Sequence, residues 1–109
     1  MSVNKVILIG NVGQNPRIDY VQGCPVATFS LATNEPAPAP ADGAPAPQPR
    51  TEWHSLVLWG QQAEVAERYI RKGTKLYVEG KLRYRIWQDR NTISRKVTEI
   101  YVDTFEILG

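Results

Sequence analysis

Residues 75–87 read KLYVEGKLRYRIW, and this stretch carries the most informative pattern in the chain. Its even positions are mostly apolar. Its odd positions carry cations, one carboxylate and aromatic rings, in the order Lys75, Tyr77, Glu79, Lys81, Arg83, Arg85 and Trp87. Successive side chains of a β-strand point to opposite faces. The stretch therefore predicts a strand with an apolar inner face and a cationic, aromatic outer face.

Positive charge beside flat rings is typical of a surface for single-stranded nucleic acid, because cations neutralise phosphates and rings stack on bases. The net charge is only +2, but residues 68–96 hold ten Lys or Arg against Glu79 and Asp89, a balance of +8. The rest of the chain therefore carries −6. Because aromatic residues are interleaved with these charges, we expect a binding surface and not an ordinary solvated face.

Length and composition exclude several classes of protein. A chain of 109 residues indicates one domain, near the size at which oligomerisation often adds stability. No apolar run of 18 residues and no signal-peptide layout is present, so we expect neither a membrane span nor secretion. A lone cysteine, Cys24, is typical of a reducing cytoplasm. One histidine and scattered acids predict no metal, no cofactor and no enzymatic activity.

The hydrophobic pattern predicts five strands and one helix. The first strand bends at glycines, and a polar turn over 89–92 precedes the last strand, which ends near Ile107. The strands are predicted over 3–12 continued by 17–22, 26–33, 51–59, 74–87 and about 93–107. Helical spacing predicts a helix over 61–72, ended by Gly73, between the third and fourth strands. This order matches an all-β Greek-key barrel of the oligonucleotide-binding type (OB-fold) over residues 1–109.

Two segments have an unusual composition. Residues 35–50 contain six of the eight prolines, largely alternating with alanine, and predict an exposed, flexible spacer loop. The unbroken apolar run Val6–Ile9 predicts burial on both faces of the first strand. The outer face of a barrel strand is normally wet, so this run indicates a partner subunit.

Several segments resemble bacterial single-stranded DNA-binding proteins. They are VNKVILIGN at 3–11, TEWHSLVLWG at 51–60, Ala63-Glu64, YIRKG at 69–73, and YVEGKLR at 77–83 with Trp87. The resemblance covers the chain except 35–50. It implies an OB-fold barrel, usually a homotetramer, that binds single-stranded DNA without sequence preference in replication, recombination and repair. It also implies a bacterial cytoplasmic protein, associated with the nucleoid.

The chain departs from this family in two places. The family's long loop often carries a tryptophan that stacks on DNA, whereas 35–50 contains no aromatic residue. The family usually continues into a disordered tail with an acidic tip that recruits replication and repair proteins, whereas this sequence stops at Gly109. We expect either a removed tail or a short paralogue, so partner proteins are not inferred.

The predicted DNA-binding residues are three tryptophans and a set of cations. Trp53 and Trp59 share a strand face, and Trp87 lies near a hairpin tip where little core is available. Arg83 and Arg85 share the face of Trp87 and are the best phosphate contacts, with Lys81 beside them. Arg71 and Lys72 are predicted equally to contact phosphate or to complement the helix dipole.

A second set of residues is predicted to lie at subunit contacts. Lys5 on the first strand is predicted to pair with Glu79. The resemblance implies that Lys5, Tyr77 and Glu79 serve assembly and that His54 is a packed interface histidine. Val6 and Leu8 of the apolar first strand complete the predicted interface. A homotetramer is expected, with a dimer as the alternative.

Two other functions compete with DNA coating. A primosome-type adaptor would be a short dimeric barrel that acts mainly through protein contacts; the missing tail fits it, whereas the three tryptophans favour DNA binding. An enzyme would need clustered acids, histidines or cysteines, which the sequence does not offer.

Overall fold

Six strand segments and one helix make up the computed structural model, which describes residues 1–88 and 90–109. Their bounds are β1 Val6–Val12, β2 Arg17–Val21, β3 Cys24–Glu35, β4 Arg50–Trp59, α1 Gln61–Tyr69, β5 Lys75–Gln88 and β6 Ser94–Ile107. The sheet order is β1-β5-β6-β4-β3-β2, and β1 also pairs with β3. The ring β1-β5-β6-β4-β3 is therefore closed, and the predicted all-β OB-fold barrel is confirmed.

The first strand of the barrel is interrupted, as its glycines predict. β1 and β2 both pair antiparallel with β3, and residues 13–16 separate them. β1 begins at Val6 and not at residue 3, because the side chain of Asn4 takes over the pairing with β5. Its amide nitrogen donates to the Leu82 carbonyl at 3.0 Å, and its oxygen accepts from the Leu82 N–H at 2.9 Å.

The helix ends three residues earlier than predicted. Ile70 has extended backbone angles and is fully buried, so it leaves the helix to enter the core. Gly73 is therefore not the helix-terminating residue. It lies in a turn in which the Thr74 N–H donates to the Arg71 carbonyl at 3.0 Å, and its φ of +93° favours glycine. The Gly73 N–H donates to the Val12 carbonyl at 2.7 Å, which ties the turn to β1.

The core lies inside the ring and beneath the helix. Its largest fully buried side chains are Leu31, Leu56, Leu58, Ile70, Leu76 and Val78. Ala63 and Ala66 bring α1 against the same cluster. On β3, β4, β5 and β6 the apolar positions turn inward, so the intervening positions form a continuous outer face.

The proline-rich segment connects β3 to β4. These strands pair as far as Glu35 with Arg50, so the loop covers 36–49 and its predicted end residues belong to the strands. Every residue of the loop is exposed. The Ala44 N–H donates to the Ala41 carbonyl at 2.9 Å, which forms a turn at Asp42-Gly43. The other predicted turn, over 89–92, includes Asp89, which lies outside the described residues.

Candidate nucleic-acid interface

The outer face of β4 carries two exposed indoles. Alternation places Trp53, Ser55, Val57 and Trp59 on this face, opposite the buried Leu56 and Leu58. Trp53 is 62% exposed and Trp59 is 40% exposed, so neither ring is part of the core. Val57 between them is buried, and it lines a cavity together with Trp59.

The indole of Trp53 lies against the backbone of Gly13. A β-carbon at Gly13 would clash with Cζ3 of Trp53 and would approach the Ser30 hydroxyl to 2.8 Å. The Gly13 N–H donates to the Ser30 carbonyl at 2.9 Å, which fixes this backbone against β3. The glycine between β1 and β2 thus makes room for the ring as well as for the bend.

At the other end of β4, Trp59 is joined to the cationic strand through Tyr101 of β6. The ring centroids of Trp59 and Tyr101 are 6.4 Å apart and their planes are tilted by 47°. The Arg83 guanidinium carbon lies 5.6 Å from the centroid of the Tyr101 ring, within the range of a cation–π contact. Lys81 faces Tyr101 in the β5–β6 register. Aromatic and cationic side chains are therefore in contact here, as stacking on bases beside phosphates requires.

Two cavities on this outer face adjoin each other. One, of about 360 Å³, is lined by Gln14, Ser30 and Ser55 among others. The second, of about 400 Å³, is lined by Val57, Trp59 and Tyr101 among others. Both are also lined by Thr28, Arg85 and Glu99. Together they form one groove, which we call the β4 groove, that is lined by Trp59 at one end and reaches Ser55, two residues from Trp53, at the other.

Arg85 and Glu99 form an ion pair in this groove. Nε of Arg85 donates to Oε1 of Glu99 at 3.2 Å, and Nη2 is 3.5 Å from Oε2. The hydrogen bond that Arg85 donates to Glu99 raises the pKa of the Arg85 guanidinium above its ordinary value. Arg85 was predicted to be one of the best phosphate contacts, but its charge is directly balanced by a carboxylate.

Trp87 lies near the end of the long β5–β6 hairpin, where it faces Arg95 in the strand register. Its ring is 42% exposed, as expected for a hairpin tip with little core. Alternation places it on the face of Arg83 and Arg85. The structure thus keeps all three tryptophans accessible, with the cations of β5 between Trp59 and Trp87.

The two cations after the helix have different surroundings. Nη1 of Arg71 donates to the carbonyls of Glu67 and Ile70, both at 2.7 Å, so the guanidinium caps the end of α1. This contact complements the helix dipole, which is one of the two roles that the sequence predicts equally for Arg71. The Lys72 N–H donates to Oδ1 of Asn15 at 2.9 Å, which brings Lys72 to the 13–16 connection that carries Gly13 beside Trp53. The Lys72 backbone is thus held beside the 13–16 connection.

The comparisons with known proteins agree with this surface. The family model described as "Single-strand binding protein family" matches residues 3–108. The chain belongs to this family. It is 51% identical over 110 aligned residues to a single-stranded DNA-binding protein of Bacteroides thetaiotaomicron, covering 100% of this chain and 68% of that protein. A solved structure, the Plasmodium falciparum SSB complex with ssDNA, superposes with a TM-score of 0.87 at 35% identity, over 100% of this chain and 97% of the other.

Membership in the single-strand binding protein family confirms the resemblance drawn from the sequence motifs. None of these matches favours the alternative of a primosome-type adaptor. Among residues 1–88 and 90–109, no group of three or more His, Cys, Asp or Glu side chains is arranged to hold a metal ion. None of the described helices has the length and apolar character needed to cross a membrane.

Two residues of the groove, Glu99 and Tyr101, were not singled out from the sequence. Both belong to the outward set of β6, in which Ile100 and Val102 are buried. This alternation was available in the sequence and predicts that Tyr101 points outward. The pairing of Glu99 with Arg85 was not available, because it depends on the register between β5 and β6.

A second surface lies on the outer face of β1 and β5. Lys5 Nζ is 2.6 Å from Oε1 of Glu79, which is the pairing expected from the sequence. A hydrogen bond from Lys5, followed by one from Tyr77, lowers the pKa of Glu79, and Glu79 in turn raises the pKa of Lys5. Burial raises the pKa of Tyr77.

The apolar residues of this second surface are not the predicted ones. Val6 and Leu8 point inward and pack against the core of their own barrel. Ile7 and Ile9 are the exposed members of β1, at 57% and 53%, and they face Glu79 and Tyr77 in the strand register. The β1 run is thus covered on one face only in this chain, because a β-strand turns alternate residues outward.

His54 lies on the inward side of β4 near its start and is half-buried. Its Nε2 is 2.9 Å from Oγ1 of Thr33 on the neighbouring strand. This hydrogen bond orients the ring, and the role of His54 at a subunit contact stays a prediction.

Proposed function

We propose that this protein binds single-stranded DNA without sequence preference and protects it during replication, recombination and repair. The observation that carries the proposal is the exposure of Trp53 and Trp59 on one outer face, beside a groove that is lined by Tyr101, with the Arg83 guanidinium over the Tyr101 ring. The family to which the chain belongs and the DNA complex of its P. falciparum neighbour support it.

Stacking supplies the sequence-tolerant part of the affinity. Trp53 and Trp59 are six residues apart on one strand, or roughly 20 Å, so each ring holds a different base. Each base–aromatic stack contributes about 1–3 kcal/mol, whatever the base. Trp87 extends the same track along the hairpin. Duplex DNA is selected against, because the faces of its bases are already stacked on one another.

Cations supply the salt-dependent part. Arg83 and Lys81 lie beside Tyr101, so they are placed to follow the phosphates of a strand whose bases lie in the groove, and Lys72 at the 13–16 connection extends this set of cations. Each phosphate neutralised on a single strand adds about 0.7 to the slope of log affinity against log salt. Arg71 contributes less, since the carbonyls at the end of α1 hold its guanidinium.

The protein acts as a homo-oligomer on this proposal, with a tetramer as the expected state and a dimer as the alternative. The contact surface is the outer face of β1 and β5, where exposed Ile7 and Ile9 flank the Lys5–Glu79 pair. Burying two isoleucines against a second copy removes apolar area from water, which favours association. Joining several barrels on one strand raises the effective concentration of each.

The chain forms a single binding domain over residues 1–109 and is not an enzyme. It binds where single-stranded DNA is exposed, at the nucleoid in a bacterial cytoplasm. The supporting argument is chemical: stacking and phosphate neutralisation account for the groove without any reacting group.

The experiment that tests this function is a tryptophan fluorescence titration with oligo-dT at two salt concentrations, with a duplex of equal length as competitor. We expect quenching that saturates, weakens at higher salt and is not reversed by the duplex. Trp53→Ala should weaken binding and leave the fold intact. Tyr20→Ala is the matched control, since Tyr20 is an aromatic residue of similar exposure, on the opposite face of β2 from the groove-lining Asp19 and Val21. Unchanged emission at saturating oligo-dT would end the proposal.

A further inference from the structure

Arg85 and Glu99 line both cavities of the β4 groove and form an ion pair between them, which we call the ridge. Arg85 is therefore not a free cation. Among the residues that the structure describes, Glu99 is the one charged residue that is buried, at 9% exposure. Its carboxylate accepts from two nitrogens of the Arg85 guanidinium, the paired geometry that favours charge-assisted hydrogen bonds. The Arg85 side chain is 58% exposed on its other side, so the pair forms part of the groove surface.

A carboxylate in this position is unfavourable for a phosphate. A buried charge is tolerated only when it is paired, and a phosphate that drew Arg85 away would leave the Glu99 carboxylate, whose side chain is 11% exposed, without its partner. The same phosphate would also be repelled by the Glu99 oxygens. The Arg85–Glu99 pair is therefore selective between the base and the phosphate of a nucleotide, and it disfavours the phosphate.

The pair is nevertheless well suited to a base. An arginine has five N–H donors, and the two nitrogens bound to Glu99 do not use all of them. The remaining donors match the carbonyl oxygens and ring nitrogens that nucleobases present. Thr28 lines both cavities beside the pair and adds a hydroxyl. Trp59 and Tyr101 offer stacking on one side of the ridge.

Arg83 provides the internal comparison. It faces Glu99 across β5 and β6 in the strand register, yet it is not one of the ion pairs formed by the described residues. Its guanidinium lies over Tyr101 instead, and the residue is exposed. Two arginines that are adjacent on one face of β5 therefore differ in charge balance.

We infer that the Arg85–Glu99 pair directs bases into the β4 groove and keeps phosphates out, with Glu99 as the positioning residue that holds Arg85 for hydrogen bonding to bases. Arg83, Lys81 and Lys72 then contact the phosphates. This inference rests on the proposed function, of which it specifies the orientation of the bound strand. It gives different roles to Arg83 and Arg85, which the sequence predicts to be equivalent phosphate contacts.

The test is the salt dependence of oligo-dT binding in three variants. Arg85→Gln with Glu99→Gln keeps the net charge, so we expect the wild-type slope of log affinity against log salt, with a weaker affinity at every salt concentration. Arg83→Gln should lower the slope by about 0.7. Glu99→Gln alone releases a cation into the groove and should steepen the slope by about 0.7. A double variant whose slope falls as in Arg83→Gln, or a Glu99→Gln variant with an unchanged slope, would overturn the inference.

A second measurement uses the wild-type protein and so does not depend on how the variants fold. The Nε–H resonance of Arg85 is identified by its loss in Arg85→Lys, and its exchange with water is followed by NMR. Exchange that stays slow at saturating oligo-dT means that the hydrogen bond to Glu99 survives in the complex. Exchange that becomes fast means that DNA has taken the guanidinium from Glu99, and the inference fails. In both measurements, saturable binding by the wild type tests the proposed function separately.

Discussion

Gly13→Ala should displace the Trp53 indole from its position while leaving the side chain itself unchanged. The added β-carbon would overlap Cζ3 of the indole and would lie 2.8 Å from the Ser30 hydroxyl, so both the ring and that hydroxyl must move. Gly13 has no positive φ, so the backbone accepts alanine without strain. Because Trp53 is 62% exposed, its displacement disturbs little of the core. We expect a melting temperature close to that of the wild type.

DNA binding should fall by a factor that the stacking energy limits. If the displaced ring loses its base, the loss is about 1–3 kcal/mol, which corresponds to roughly 5- to 150-fold in affinity. The assay is oligo-dT titration of Gly13→Ala, Trp53→Ala and the double variant, with melting followed by circular dichroism. Since both changes remove one stack, the double variant should bind no more weakly than Trp53→Ala. Losses that multiply in the double variant would show that Gly13 acts elsewhere, and unchanged affinity in Gly13→Ala would refute the positioning of the ring.

Three further predictions concern the rest of the molecule. Glu79→Gln should lower the melting temperature near pH 7 but not in acid. The pKa of Glu79 is lowered from 4.5 on folding, so its ionised form stabilises the fold above pH 4.5, and this stability is lost as the pH falls through the folded-state pKa. A difference in melting temperature that does not depend on pH would contradict this. Replacing 36–49 by a short turn should leave the melting temperature equal or slightly higher, since each halving of a loop lowers its closure cost by about 0.6 kcal/mol; a large decrease would mean that the loop packs. Ile7→Asp with Ile9→Asp should reduce the mass in light scattering while the fold persists, whereas an unchanged mass would remove the β1 face from the interface.

Most of the fold follows from two periodicities that the sequence displays. Alternation in 75–87 and 51–59 sets which side chains enter the core and which remain outside, and it holds for Leu76 and Val78 as well as for Trp53. The helix was placed correctly, but its end was not. Local spacing continued through Ile70, whereas the chain leaves the helix there to bury that residue and to hydrogen-bond the turn to Val12.

The first strand shows where a hydrophobic run is ambiguous. An unbroken series at 6–9 predicts burial on both faces, but it does not say which alternate pair belongs to the chain's own core. The structure assigns Val6 and Leu8 to the core and leaves Ile7 and Ile9 outside. The argument for a partner subunit therefore applies to Ile7 and Ile9 instead of Val6 and Leu8. Its reason is unchanged, because apolar side chains still lie on the outer face of β1.

The cations of β5 show why the net charge of a sequence segment does not predict the charge of a groove. The excess of +8 over 68–96 stops three residues before Glu99, so the count treats Arg83 and Arg85 as equals. Pairing of β5 with β6 then brings Glu99 back beside them, where it binds Arg85 and not Arg83. The long-range field depends on the sum of charges and remains positive, which draws a polyanion to this face. What enters the groove depends on individual pairs, and a neutral pair beside the Trp59–Tyr101 stacking site admits the base and leaves the phosphate to Arg83.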